Sequence, residues 1–173
     1  VRLEEEVRQL AFYDALTKLP NRRLLDDRLA KAMAAGQRSC RYGALMVLDL
    51  DNFKPLNDAH GHHAGDLLLA EVARRLSGCV RAVDTVARFG GDEFVVLMQG
   101  ANATTVQSTL MTIQELLNID NQYYSAHPIS LSMGYASTIE DESIDDMLKR
   151  ADQAMYKQKN DYYAYLRAEN NNE

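Results

Sequence analysis

The stretch ARFGGDEFVVLM, residues 87–98, constrains this chain most. Gly90 and Gly91 separate two apolar runs, and glycine accepts the left-handed backbone that a tight reversal needs. A hairpin is therefore expected, with strands near 84–88 and at 94–98 and with Asp92 and Glu93 at the reversal. A second apolar run, GALMVLDLD, reads as a buried strand whose C-terminal end carries Asp49 and Asp51. If these strands are neighbours, Asp49 and Asp92 meet at one edge of a sheet. Carboxylates that close repel each other, and one retains its proton unless a cation intervenes. A hard divalent ion with few oxygen ligands and room for phosphates is the usual Mg²⁺ arrangement, and such an ion polarises a phosphoryl oxygen. Glu93 adds a third acid to the corner, as metal ligand or as general base. Taken alone, two acids in a hairpin turn are better explained as solvated turn residues.

The rest of the chain supplies the layers around that sheet. Leu3, Val7 and Leu10 recur at helical spacing among charges. Residues 1–11 are thus expected to form a linker helix arriving from a preceding sensor or regulatory region. Asn21 is a plausible N-cap for a helix over about 21–36. Leu68, Val72 and Leu76 mark a helix over 64–79, and Val106, Leu110, Ile113 and Leu117 mark another. ISLSMGYA alternates strictly and reads as a half-buried strand with Ile129, Leu131, Met133 and Tyr135 on one face. Ser143 and Asp146 suit a capping box at the head of a last helix, with Ile144, Leu148, Ala151 and Met155 as its core stripe. The order α-α-β-α-β-β-α-β-α predicts an α+β fold with a mixed, largely antiparallel central sheet flanked by helices.

Composition narrows the partners. The chain has 173 residues, enough for one ordinary domain with a real core. Its net charge of −6 argues against broad nucleic-acid binding. No apolar run approaches the length needed to cross a bilayer, so no membrane contact is expected of this part. Cys40 and Cys79 lack metal-ligand spacing and read as reduced thiols, which fits a cytoplasmic setting.

DLDNFKPLNDAHGHHAGD is unusually polar for a segment that follows a core strand. A carboxylate such as Asp66 accepts two parallel hydrogen bonds from the N1–H and exocyclic amine of guanine, a pair that adenine lacks. Asn57 can donate and accept along a base edge, and Lys54 can neutralise phosphate charge. His60, His62 and His63 lack the accompanying ligands of a transition-metal site and suit a turn or a ligand edge better.

These segments resemble the GGDEF domains, the diguanylate cyclases. RFGGDEF carries the naming signature, and DALTKLPNRR resembles the family's D-x-L-T-x-L-x-N-R-R opening segment. DLDNFKPLNDAHGHHAGD, SMGYA and RADQAMYKQK resemble its later motifs, in family order, between about residues 12 and 159. The resemblance implies a fold like the palm of polymerases and nucleotidyl cyclases, with 12–173 as the catalytic domain. It implies that two GTP are joined into cyclic di-GMP by a homodimer with Mg²⁺ (or Mn²⁺). By position, Asp49, the Leu50 carbonyl and Asp92 would hold metal, and Glu93 would join them or act as base. Asn57 and Asp66 would read guanine with His62 nearby, and the backbone of Asn52 and Phe53 would approach the phosphates. Lys54 would steady transition-state charge, and Lys159 would reach the terminal phosphates. Arg81 and Asp84, in RAVD, fall where the family carries an inhibitory site for its product. Residues 99–148 contain no Lys or Arg, so a further arginine that often completes that site is not evident. Tyr163 falls where a phosphate-binding arginine is usual, a departure that touches the triphosphate and not the metal. A catalytically weak receptor for GTP or cyclic di-GMP is the alternative, against which the intact signature acids count. An ATP-using cyclase is disfavoured by Asp66 and Asn57.

Overall fold

The computed structural model describes residues 1–39, 43–123, 129–139 and 142–171. Its elements are α1 (Arg2–Phe12), α2 (Arg22–Ser39), β1 (Ala44–Leu50), α3 (Phe53–His60), α4 (His62–Cys79), β2 (Thr85–Gly90), β3 (Glu93–Met98), α5 (Ala103–Tyr123), β4 (Leu131–Ser137) and α6 (Ile144–Asn170). The four strands lie in the order β2-β3-β1-β4, and every pairing is antiparallel. The expected hairpin is β2–β3, with Gly90 and Gly91 at φ 108° and 52°.

Because strand side chains alternate, the sheet has two different faces. Met46, Leu48, Phe94, Val96, Leu131 and Met133 pack with α4 and α5, whose contacts include Leu69, Val72 and Ile113. Leu45, Val47, Val95, Leu97 and Ala136 pack with α2 and α6 through Leu25, Leu29, Met147, Ala151 and Met155. The result is three layers, helices on sheet on helices.

Four expectations change. β4 is buried on both faces, not one: Ser132, Gly134 and Ala136 are small enough for α6 to lie against them. A Cβ at Gly134 would fall on the backbone nitrogen of Met155 and the carbonyl oxygen of Ala151, so the helix backbone itself occupies that space. The polar segment after β1 contains an extra helix, α3, eight residues long with no buried side chain. Its Pro55 sits in the first turn, where a missing N–H costs nothing. α6 also runs past Lys159 to Asn170; after Gly134 the sequence has no Gly or Pro to stop it. The sheet, expected to be mixed and largely antiparallel, is antiparallel at every pairing among the described strands.

The predicted caps form. The Asn21 side chain accepts from Leu24 N–H at 3.1 Å, and Ser143 Oγ accepts from Asp146 N–H at 3.1 Å. Each sheet edge takes contacts from outside the sheet. On β4, Met133 N–H donates to Gln158 Oε1 and the Ser137 carbonyl accepts from Arg150, both from α6. On β2, Arg88 N–H donates to the Pro20 carbonyl at 3.0 Å. α1 buries none of its residues, and Leu3, Val7 and Leu10 are exposed. Cys79 is a half-buried free thiol, whereas Cys40 lies outside the described residues. Among the described residues no helix is long and apolar enough to cross a membrane.

Candidate active site

Strand periodicity brings the acids together. Asp49 follows Leu45 and Val47 on the β1 face toward α2 and α6, and Glu93 precedes Val95 and Leu97 on the same face of β3. The register places Asp49 directly opposite Glu93. Asp92 is tied to this corner by its carbonyl, which accepts from Leu50 N–H at 3.2 Å. From α6 come Asp152 and Lys159, two helical turns apart and so on one face. Lys159 Nζ donates to Asp49 Oδ2 at 2.8 Å and to the Leu50 carbonyl at 3.2 Å.

One ammonium does not balance this set. Burial pushes the Asp92 carboxyl up to about 6, and the neighbouring Asp49 charge adds to the effect. Protonated, Asp92 can donate to the Asp49 carboxylate, which favours the neutral form further. Glu93 is raised by burial and then by Asp152, Asp49 and Asp92, with Arg22 pulling the other way. Asp152 is raised by burial and by Asp49. Burial disfavours the Lys159 charge, yet its hydrogen bond and attraction to Asp49 leave its pKa above the usual lysine value. Among the described residues, Asp49 Oδ1 is buried without a hydrogen-bond partner. A corner with surplus carboxylates, raised acids and an orphaned oxygen has the chemistry of an incomplete cation site.

No three His, Cys, Asp or Glu side chains converge into a ready-made cage among the described residues. Asp49, Asp92 and the Leu50 carbonyl are the oxygen donors of this corner that could hold a divalent cation, with Glu93 adjoining.

The turn that carries Asp92 is braced from outside. Arg88 donates through Nε and Nη2 to the Gly91 carbonyl, at 3.2 and 2.8 Å, and through Nη1 to both oxygens of Asp14, at 3.2 and 3.1 Å. Burial disfavours the Asp14 charge, but hydrogen bonds from Thr17 and Arg88 outweigh it and hold the carboxyl below its ordinary value. The DALTKLP segment is folded onto itself by Asp14 N–H to the Leu19 carbonyl at 2.7 Å and Lys18 N–H to the Asp14 carbonyl at 2.9 Å. The opening motif therefore supports the glycine turn mechanically.

The remaining candidates lie along the β1–α3–α4 path. Asn52, the N-cap of α3, holds left-handed backbone at φ 60°, and its N–H donates to Tyr163 Oη at 3.2 Å. Phe53 packs against the α4–α5 core, and Lys54 is exposed on the first turn of α3. Asn57 Nδ2 lies 3.0 Å from His62 Nδ1, while Asn57 Oδ1 is buried without a partner among the described residues. Gly65 makes room for it, since a Cβ there would fall on that oxygen. Asp66 is exposed on α4, four residues beyond His62 and hence on the same helix side. Asp51, which the sequence reading gave no role, is buried and accepts from Ser130 Oγ at 2.7 Å and Ser132 Oγ at 2.6 Å. A cleft of about 320 Å³ beside it is lined by Asp51, Asn52, Phe53, Ser130 and Tyr162.

Arg81 and Asp84 are remote from this corner. Arg81 forms a two-point pair with Asp84, at 3.1 and 2.9 Å, and donates to the Gln99 carbonyl at 2.8 Å. The Arg81 backbone N–H adds a third bond to Asp84, at 2.9 Å.

Residues 11–163 match the family profile described as diguanylate cyclase, GGDEF domain. The chain is 47% identical over 162 residues to the bifunctional diguanylate cyclase/cyclic di-GMP phosphodiesterase MucR of Pseudomonas aeruginosa, covering 90% of this chain and 23% of that protein. It is 36% identical to the diguanylate cyclase DgcS of Shewanella oneidensis, covering 90% of this chain and 52% of that one. It thus spans between about a quarter and half of these relatives' lengths. Among solved structures, the coiled coil and GGDEF domain of DgcB from Caulobacter crescentus, in complex with c-di-GMP, superposes with a TM-score of 0.80 at 31% identity, covering 92% of this chain and 86% of that one. The diguanylate cyclase SiaD of Pseudomonas aeruginosa, in complex with its activator SiaC, gives 0.80 at 28% identity, covering 92% and 62%. Sequence and fold agree, and the chain belongs to the GGDEF domain family of diguanylate cyclases.

Proposed function

We propose that this domain condenses two GTP into cyclic di-GMP, releasing two pyrophosphates, as a homodimer in which two nucleotide-loaded domains face each other. The observation that carries the reading is the electrostatic deficit at the β1–β3 corner, where Asp92 is pushed up to about 6 beside Asp49. Asp49, Asp92 and the Leu50 carbonyl would hold Mg²⁺ or Mn²⁺. When bound, such an ion polarises the α-phosphate and lowers the cost of deprotonating a hydroxyl. The 3′-hydroxyl of each GTP attacks the α-phosphorus of the other, the bond to pyrophosphate breaks, and the hydroxyl proton leaves. Glu93, whose proton affinity is raised by burial and three neighbouring acids, would either accept that proton or complete the metal shell.

The chain's other groups position the substrate. Asp66 and Asn57, the latter oriented by His62, read the guanine edge. The Asn52 and Phe53 backbone approaches the phosphates, with Lys54 and Lys159 balancing their charge. Arg81 and Asp84 take the product in feedback inhibition. A second reading, a weak enzyme serving as a GTP or cyclic di-GMP receptor, draws on the Tyr163 contact that engages the Asn52 amide.

The test is direct. Nucleotide-stripped protein at high concentration is incubated with GTP and Mg²⁺, and the products are resolved by chromatography. Cyclic di-GMP and pyrophosphate are expected. No product from confirmed dimers with bound GTP would overturn the enzyme in favour of the receptor.

A further inference from the structure

The C-terminal half of α6 touches the corner at two points that the proposed chemistry needs free. Lys159 Nζ sits between Asp49 Oδ2 and the Leu50 carbonyl, at 2.8 and 3.2 Å. Those are two of the three donors assigned to the metal. One turn later, Tyr163 Oη accepts from Asn52 N–H at 3.2 Å. That is an amide assigned to the phosphates. A cation therefore rests between a carboxylate and a carbonyl, and an oxygen acceptor rests on a phosphate-facing N–H. The two side chains are four residues apart on one helix, so they share a face and move together. The adjoining Tyr162 ring stands edge-on to Tyr163 at 5.4 Å and lines the same cleft as Ser130, the residue that donates to Asp51. Through Lys159 and Tyr163 the helix is fastened on both sides of Asp51.

We propose that Lys159 and Tyr163 form an internal latch that occupies the positions of the metal and of a phosphate oxygen, and that a metal–nucleoside triphosphate must displace both to bind. This rests on the functional reading above. Tyr163 is then a competitor of the nucleotide for Asn52 N–H, not a phosphate ligand in place of arginine. Its removal strengthens nucleotide binding, whereas removal of a phosphate ligand would weaken it.

Two binding measurements decide. In the first, Mn²⁺ alone is titrated into nucleotide-free protein, with free Mn²⁺ read by electron paramagnetic resonance. Lys159→Met is expected to tighten Mn²⁺ binding about tenfold, while Lys157→Met, which removes the same charge from an exposed neighbouring position, changes it less than about twofold. Equal effects would overturn the Lys159 half, leaving only a general charge effect. In the second, GTP with Ca²⁺ in place of Mg²⁺ is titrated calorimetrically into Tyr163→Phe, which keeps the ring and removes the hydroxyl. Binding about fivefold tighter than wild type is expected, the worth of one net hydrogen bond. Equal or weaker binding would overturn the Tyr163 half. Failure of every protein to bind GTP would overturn the functional reading and the Tyr163 half with it, and the Mn²⁺ comparison would still decide for Lys159.

Discussion

β3 carries a charged site at each end, and the two are built on opposite principles. Glu93 opens the strand at the acid corner, and Gln99, just past its other end, receives Arg81. The separation is roughly 20 Å at the rise of an antiparallel strand. At the Arg81 end every charge is matched: the Asp84 side chain is fully buried and accepts three bonds from Arg81, through its backbone and its guanidinium. At the acid end four carboxylates share one lysine, and three of them are pushed toward their neutral forms. A matched pair needs nothing more to be stable. An unmatched cluster is tolerated only where something else, on occasion, supplies the missing charge.

That contrast can be broken most decisively at the acid end. Asp92→Ala or Glu93→Ala is expected to lower cyclic di-GMP formation by about 10³ or more while circular dichroism stays native; substantial residual turnover would remove these residues from the chemistry. At the other end, Arg81→Ala is expected to raise the cyclic di-GMP concentration that half-inhibits the reaction by about tenfold, since it removes a charge-assisted two-point contact. Unchanged inhibition would leave Arg81–Asp84 a purely structural pair.

Stability sharpens the contrast further, because the sign should differ. Asp84→Ala strands the Arg81 donors and is expected to cost about 2–3 kcal/mol in denaturant unfolding. Asp92→Asn is expected instead to raise the melting temperature by a few degrees at pH 7 without divalent ions. The pH dependence has a definite direction. Asp92 binds its proton more tightly folded than unfolded, so wild-type stability falls as pH rises from about 4 to about 6 and is level above. The advantage of Asp92→Asn should therefore vanish near pH 4. An advantage independent of pH would mean that charge is not its cause.

How much of this was legible in the sequence follows from how many turns or alternations each feature spans. β1, β3 and β4 announce themselves by composition and period, and Asn21 and Ser143 by cap chemistry. The meeting of Asp49 with Asp92 was inferable once β1 and β3 were taken as neighbours, though the register that sets Asp49 opposite Glu93 was not. α3 escaped because eight residues without a buried position leave no periodic signal. Asp152 escaped although its spacing of seven from Lys159 places both on one helix face. Asp51 was legible as a strand-end acid but not in its role: it lies past the end of β1 and accepts from Ser132, on the strand β4 beside it, and from Ser130, the residue before that strand. The Asp14–Arg88 brace joins motifs 74 residues apart and leaves no local trace.

The contacts on the sheet edges bear on how the sheet can be extended. Sheets usually recruit a second chain by adding a strand to a free edge, where rows of unpaired N–H and C=O groups serve as a template. Here β4 is fastened by Gln158 and Arg150, and β2 by Pro20. Such contacts take up part of the outward-facing backbone of each edge and so weaken it as a template for a further strand.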